Sequence, residues 1–179
     1  MGYTEVVTEP RWLDATEERA WRSLIQMSWL LDAAISRDLA QQASLSHADY
    51  YVLARLSESP QHTLRMSELA AGINWSKSRL SHQIARMEQR GLVCRRGCPS
   101  DARGTYAVLT PKGLKAIQEA APGHVESIRR HLIDQLSRNQ LDALADVAEL
   151  VVARLGGNGL VAPECPNTGL HPGEPPAQQ

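Results

Sequence analysis

The chain has 179 residues, a formal net charge of −1 and 42% hydrophobic residues, which suits one globular core with additional helices. It has no Phe, so its core rests on aliphatic residues and four Trp, and its three Cys suggest no disulfide framework. No stretch approaches the ~18 apolar residues of a membrane span, and the start MGYTEVVTEPRW lacks the basic-then-apolar order of a signal peptide, so no membrane and a cytoplasmic location are expected.

Residues 1–15 read as a flexible N-terminal arm. Thr16 opens a helix to about Gln42, in which Trp21, Leu24, Ile25, Ser28, Leu31, Ile35 and Leu39 recur at three- and four-residue steps. Trp29, Leu30 and Ala33 widen that stripe beyond what one small core needs. Ser46 caps a second helix to Ser57, with Tyr50, Leu53, Ala54 and Leu56 on its apolar side. After the connector Glu58–Gln61, Thr63-Leu64-Arg65 reads as a short strand, and Ser67 as the cap of a helix carrying Leu69, Ala70 and Ile73.

A turn at Ile73–Trp75 leads to a helix capped by Ser76 and running to about Arg90. Leu80, Ile84 and Met87 share one side and point inward; Ser78, His82, Ala85 and Gln89 point outward, flanked by Ser81 and Arg86. Gly91 is placed as a helix C-cap. Leu92–Arg96 and Thr105–Leu109 form the arms of a hairpin with a polar tip. Thr110-Pro111 opens a further helix, marked by Leu114, Ile117, Ala121, Val125, Ile128, Leu132 and Leu136, with a kink or break expected at Pro122-Gly123. Leu141, Leu144, Val147, Val151, Val152 and Leu155 mark a final helix. Residues 156–179 hold five Gly and five Pro and read as a disordered tail.

Helix, turn, helix and hairpin, in that order, make the plan of a winged helix-turn-helix, whose second helix fits a DNA major groove. The charge is distributed to match. Residues 61–115 carry ten Lys and Arg against three acids, net +7, while residues 1–60 and 116–179 are each net −4. A phosphate-binding surface needs such a local excess, so double-stranded DNA is the expected partner. The terminal helices carry more apolar surface than one winged unit buries, which points to a homodimer.

GLVCRR followed by SDARGTYAVLTPKG, together with SELA at Ser67–Ala70, resembles the MarR family of bacterial transcription regulators. The matching positions are Gly91-Leu92-Val93, Arg96, Asp101, Arg103, Leu109, Thr110 and Gly113, and the resemblance covers about Trp21 to Leu155. It implies a mainly α fold: a winged helix-turn-helix at residues 46–115, with residues 16–45 and 116–155 forming an intertwined helical dimerisation region. It further implies a ligand-responsive repressor that binds a near-palindromic site as a dimer, responds to a small aromatic ligand, and is not an enzyme.

The residues expected at DNA follow from both readings. Ser76, Lys77, Ser78 and Arg79 form the first helical turn, where backbone N–H groups favour phosphate. Ser78, Ser81 and His82 are placed to reach base edges or phosphates, and Arg86 a phosphate or a guanine edge. By resemblance, Arg103 is the wing arginine at the minor groove and Asp101 orients it. Arg96, which also matches the family pattern, and Arg95, Arg65 and Lys112 are weaker candidates, with plain solvated charge as the alternative. Cys94 and Cys98 in CRRGC invite a redox reading, but no cysteine lies in the first helices. Cys94, Cys98, Cys165 and His171 are too scattered for a zinc loop, and His124 and His131 read as polar surface. No cofactor or catalytic motif is found. The alternative function is a winged-helix module that binds protein, which would more often expose apolar anchors at Ser78, Ser81 and His82.

Overall fold

The computed structural model describes residues 10–98 and 101–156, without the side chains of Cys98, Asp101, Ala102 and Arg103. The expected arm therefore lies mostly, and the expected tail almost wholly, outside the described residues. Among the described residues, six α-helices and a three-stranded antiparallel sheet follow in the order α1 (Ala15–Ala43), α2 (His47–Ser57), β1 (Thr63–Arg65), α3 (Met66–Gly72), α4 (Lys77–Gln89), β2 (Val93–Cys98), β3 (Asp101–Leu109), α5 (Pro111–His131) and α6 (Arg138–Arg154).

Helix ends follow local chemistry. Asp14, rather than Thr16, caps α1: its side chain accepts from the Thr16 and Glu17 N–H groups, and Glu17 accepts from the Asp14 N–H in return. Ser46 caps α2 as expected, reciprocated by Asp49. Ser67 does not cap α3; it lies inside the helix, and Glu68 instead accepts from the Arg65 N–H at 3.2 Å. Asn74 adopts a left-handed conformation after α3, and the Trp75 N–H bonds the Ala70 carbonyl at 2.8 Å, a closure that makes the turn between α3 and α4. Gly91 repeats it after α4: at φ +71° it lets the Leu92 N–H reach the Met87 carbonyl at 3.0 Å.

The sheet has the order β1-β3-β2, so the central strand is the last in sequence. Leu64 faces Ala107, Arg95 faces Ala107, and Arg96 faces Tyr106, with a bulge between Gly97 and Cys98. Thr110 binds the end of the sheet to α5: its hydroxyl donates to the Gly91 carbonyl at 2.7 Å and accepts from the Gly113 N–H at 3.0 Å. A Cβ at Gly113 would lie 2.0 Å from the Leu92 carbonyl oxygen, so only glycine allows this approach. The Leu-Thr-x-x-Gly run is thus a packing joint between wing and helix.

The core gathers Leu53, Leu56, Leu69, Leu80, Ile84, Met87, Val93 and Ile117 around one centre, with Ile35 and Leu39 closing it from α1. Two expectations about α5 are corrected. It runs unbroken through Pro122, because its length packs along α1, and the small Gly123 sits against Gln42 of that helix. The interruption comes later, at a 3-10 turn, Ile133–Gln135, that ends the long helix and starts α6. In α6 no residue is buried; Val147, Leu150 and Val151 are exposed, as are Leu155 at its C-cap and Trp21, Leu24, Trp29 and Leu30 on α1.

His124 is a further correction: it is only 7% exposed, inside the junction of α2 and α5, with its ring 4.0 Å from that of Tyr50 and its Nδ1 buried without a hydrogen-bond partner. Burial first, and His47 second, lower its pKa from 6.5 to about 4. The folded state therefore holds the imidazole neutral. Its contribution is complete above pH 6.5 and is lost as pH falls toward 4, by at most about 3 kcal/mol. Urea midpoints measured at pH 7 and pH 4.5 should drop in the wild type, and His124→Gln should flatten the drop. An unchanged drop in the variant assigns the acid loss to other groups.

Candidate nucleic-acid interface

The interface is built on α4. Ser76 caps it by accepting from the Arg79 N–H at 3.2 Å, and its hydroxyl lies 3.3 Å from that of Ser78. The Lys77 and Ser78 N–H groups precede the first helical hydrogen bond and face out of the helix end. Leu80, Ile84 and Met87 are fully buried, so the opposite face must be exposed. Ser78, Ser81, His82 and Gln89 are exposed and Ala85 half-buried. Lys77 and Arg79 are exposed as well; the Arg79 guanidinium lies 4.2 Å from the Trp75 ring centroid, which holds it at the flank.

The wing lies beside this face. Arg96 is exposed on β2. The backbones of Asp101 and Arg103 lie in β3, but the side chains that would enter a groove fall outside the described residues. Arg65, Ser67, Lys77, Ser81, Arg95 and Thr105 line a groove of about 440 Å³ between β1, α3, α4 and the wing. The structure thus brings the expected α4 residues and a basic groove onto one surface.

Sequence reasoning missed how α4 is held. Gln83, on the inward stripe between Leu80 and Ile84, is only 3% exposed. Its Nε2 donates at 2.7 Å to Asp49, itself buried in α2. The other Asp49 oxygen accepts from Arg90 Nη1 at 2.7 Å and from the Ser46 N–H at 2.9 Å, and Arg90 Nη2 reaches the Ser44 carbonyl at 2.7 Å. Arg86 donates to the Gln83 side-chain oxygen, so this candidate DNA contact is tethered to the buried network. A polar residue at a stripe position was the one available signal. Its partner Asp49 was not legible, because it lies 34 residues away along the chain, and Arg90 meets the same carboxylate from 41 residues away.

Cys94 is an exposed free thiol, while the Cys98 side chain, Cys165 and His171 fall outside the described residues. Among the described residues no His, Cys, Asp and Glu cluster is arranged to hold a metal, and no helix is long and apolar enough to cross a membrane.

Comparison with known proteins adds to this geometry. Residues 45–105 match the family model described as the MarR family. Among solved structures, the chain is similar to Sco3205, a MarR family transcriptional regulator from Streptomyces coelicolor solved in complex with DNA. That likeness has 41% identity and a TM-score of 0.78, and covers 87% of this chain and 97% of that one. AbsC, a MarR family regulator from the same organism, is 45% identical with a TM-score of 0.77, over 83% of this chain and all of that one (100%). The transcriptional repressor MprA of Escherichia coli K12 is 26% identical over 106 residues, 59% of this chain and 60% of its own length.

Proposed function

This chain belongs to the MarR family of DNA-binding transcriptional regulators, and from that premise we propose that it is a repressor that binds a near-palindromic duplex as a homodimer and responds to a small aromatic ligand. The observation that carries the DNA-binding mode is the outward face of α4. Ser78, Ser81 and His82 stand exposed there inside the net +7 block, with no apolar anchor at those positions for a protein partner. In this reading Ser76, Lys77 and Ser78 hold phosphate at the helix end, Ser81 and His82 read base edges, and Arg79, Arg86 and Arg96 add backbone contacts. Arg103 reaches the minor groove, oriented by Asp101. The repressor role and the ligand rest on the family alone. The domain plan remains as read from the sequence: an arm at 1–15, a dimerisation region at 16–45 and 116–155, the winged unit at 46–115 and a tail at 156–179.

Selection of bound duplexes from a random pool, followed by titration, tests the mode. His82→Ala and Ser81→Ala should change the preferred base at one half-site position, costing ~1–3 kcal/mol against the correct base only. Affinity should fall steeply with salt, with a log–log slope of roughly −0.9 per phosphate contact. A flat salt response, or unchanged base preference in both variants, removes this mode.

A further inference from the structure

Arg95 sits at mid-strand in β2, an edge strand, facing the fully buried Ala107 of β3. Its backbone N–H is not left open at the sheet edge. It donates to Glu88 Oε1 of α4 at 2.8 Å, while Arg95 Nη1 donates to Glu88 Oε2 at 2.7 Å. Arg95 Nη2 reaches the Ser81 carbonyl at 2.8 Å, with the Ser81 hydroxyl 3.3 Å away. Ser81 and Glu88 are two turns apart on the same side of α4, so one guanidinium spans the helix face beside the groove.

We infer that Glu88 and Arg95 are positioning residues, a brace that sets the angle of the wing against the recognition helix, and that Arg95 is not a phosphate ligand. The geometry matters through leverage. From Arg95 to Cys98 at the end of β2 the strand extends about 10 Å, so a 10° rotation there moves its end by roughly 2 Å, more than a hydrogen bond tolerates. A carboxylate on a DNA-facing surface otherwise repels phosphate. Its place here is explained by what it holds. Both hydrogen bonds to Glu88 involve its charge, and the fork geometry is one that lysine does not reproduce.

This inference rests on the DNA-binding mode proposed above, and its sign separates it from plain electrostatics. Glu88→Ala removes a negative charge from the DNA side, which by itself would tighten binding. The brace instead makes it weaken binding to the selected duplex by about tenfold. Arg95→Lys keeps the positive charge but loses the fork; it should weaken binding by a similar factor, and the double variant should be little worse than either single one. Arg103→Ala should cost much less in the Glu88→Ala background than in the wild type, because the wing is already displaced. Equal or tighter binding by Glu88→Ala, full binding by Arg95→Lys, or multiplying effects in the double variant would overturn the brace. Amide exchange in the free protein reads the same contact without DNA: the Arg95 N–H should exchange at least about tenfold faster in Glu88→Ala than in the wild type, at unchanged melting temperature. If the wild type binds no duplex, the DNA-binding mode fails on its own, and unchanged exchange at Arg95 then sinks the brace independently.

Discussion

A chain ending at Leu136 should sediment as a monomer and lose roughly 100-fold or more in affinity for a duplex carrying two half-sites. The winged core should survive the cut, since no residue of α6 is buried and the core is drawn from α1 to α5 and the sheet. What is removed is an apolar surface that no described residue covers: Val147, Leu150 and Val151 lie open on α6 and Leu155 at its C-cap, while the matching open surface of Trp21, Leu24, Trp29 and Leu30 stays behind on α1. Exposed apolar area on this scale marks an interface, and a two-fold copy of the same chain is the commonest solution. Linking two weak half-site contacts in one dimer multiplies affinity by about 10²–10⁴, which is the gain the truncation gives up. Sedimentation of full-length and truncated chains, with titration on one- and two-half-site duplexes, measures it. A full-length monomer, or a truncated chain that still dimerises and binds normally, would remove the proposed role of the terminal helices.

The second large effect should come from Asp49→Ala, at about 3 kcal/mol of stability. Asp49 is 3% exposed and is held by the Gln83 amide, the Arg90 guanidinium and the Ser46 N–H. Removing it strands the buried Gln83 donor, which alone costs ~1–3 kcal/mol, and weakens the α2 cap by a further ~1 kcal/mol. Arg90 contributes less than a fully buried partner would, because 41% of its side chain is exposed and water can take over its charge. For a chain of this size the expected melting temperature falls by roughly 6–12 °C. Asp49→Asn should recover part of the loss, since its amide oxygen still accepts one bond. Calorimetry on the two variants decides: a loss under about 1 kcal/mol in Asp49→Ala would mean that the network does not hold α4.

The winged unit was legible in the sequence because its signals are local. Ser46, Ser76 and Thr110 cap their helices through atoms three residues away, Gly91 closes α4 within one turn, and the Leu80-Ile84-Met87 stripe repeats at helical spacing. Chemistry confined to a few neighbours survives whatever the rest of the chain does. The same is true of the charge block, which needs only composition.

Tertiary structure decided the points where a distant partner outweighs local preference. Pro122 carries a local cost to a helix, yet α5 continues through it because its length packs along α1. His124 looked like a surface histidine, until the meeting of α2 and α5 buried it against Tyr50. Gln83 and Arg90 find Asp49 only when α2 and α4 cross. Arg95, in sequence one more basic residue of the wing, is bound to Glu88 and Ser81 once the hairpin folds back on α4. A side chain's partner across the fold depends on where two elements meet, and that is set by the packing of the whole core rather than by the residues beside it in the chain.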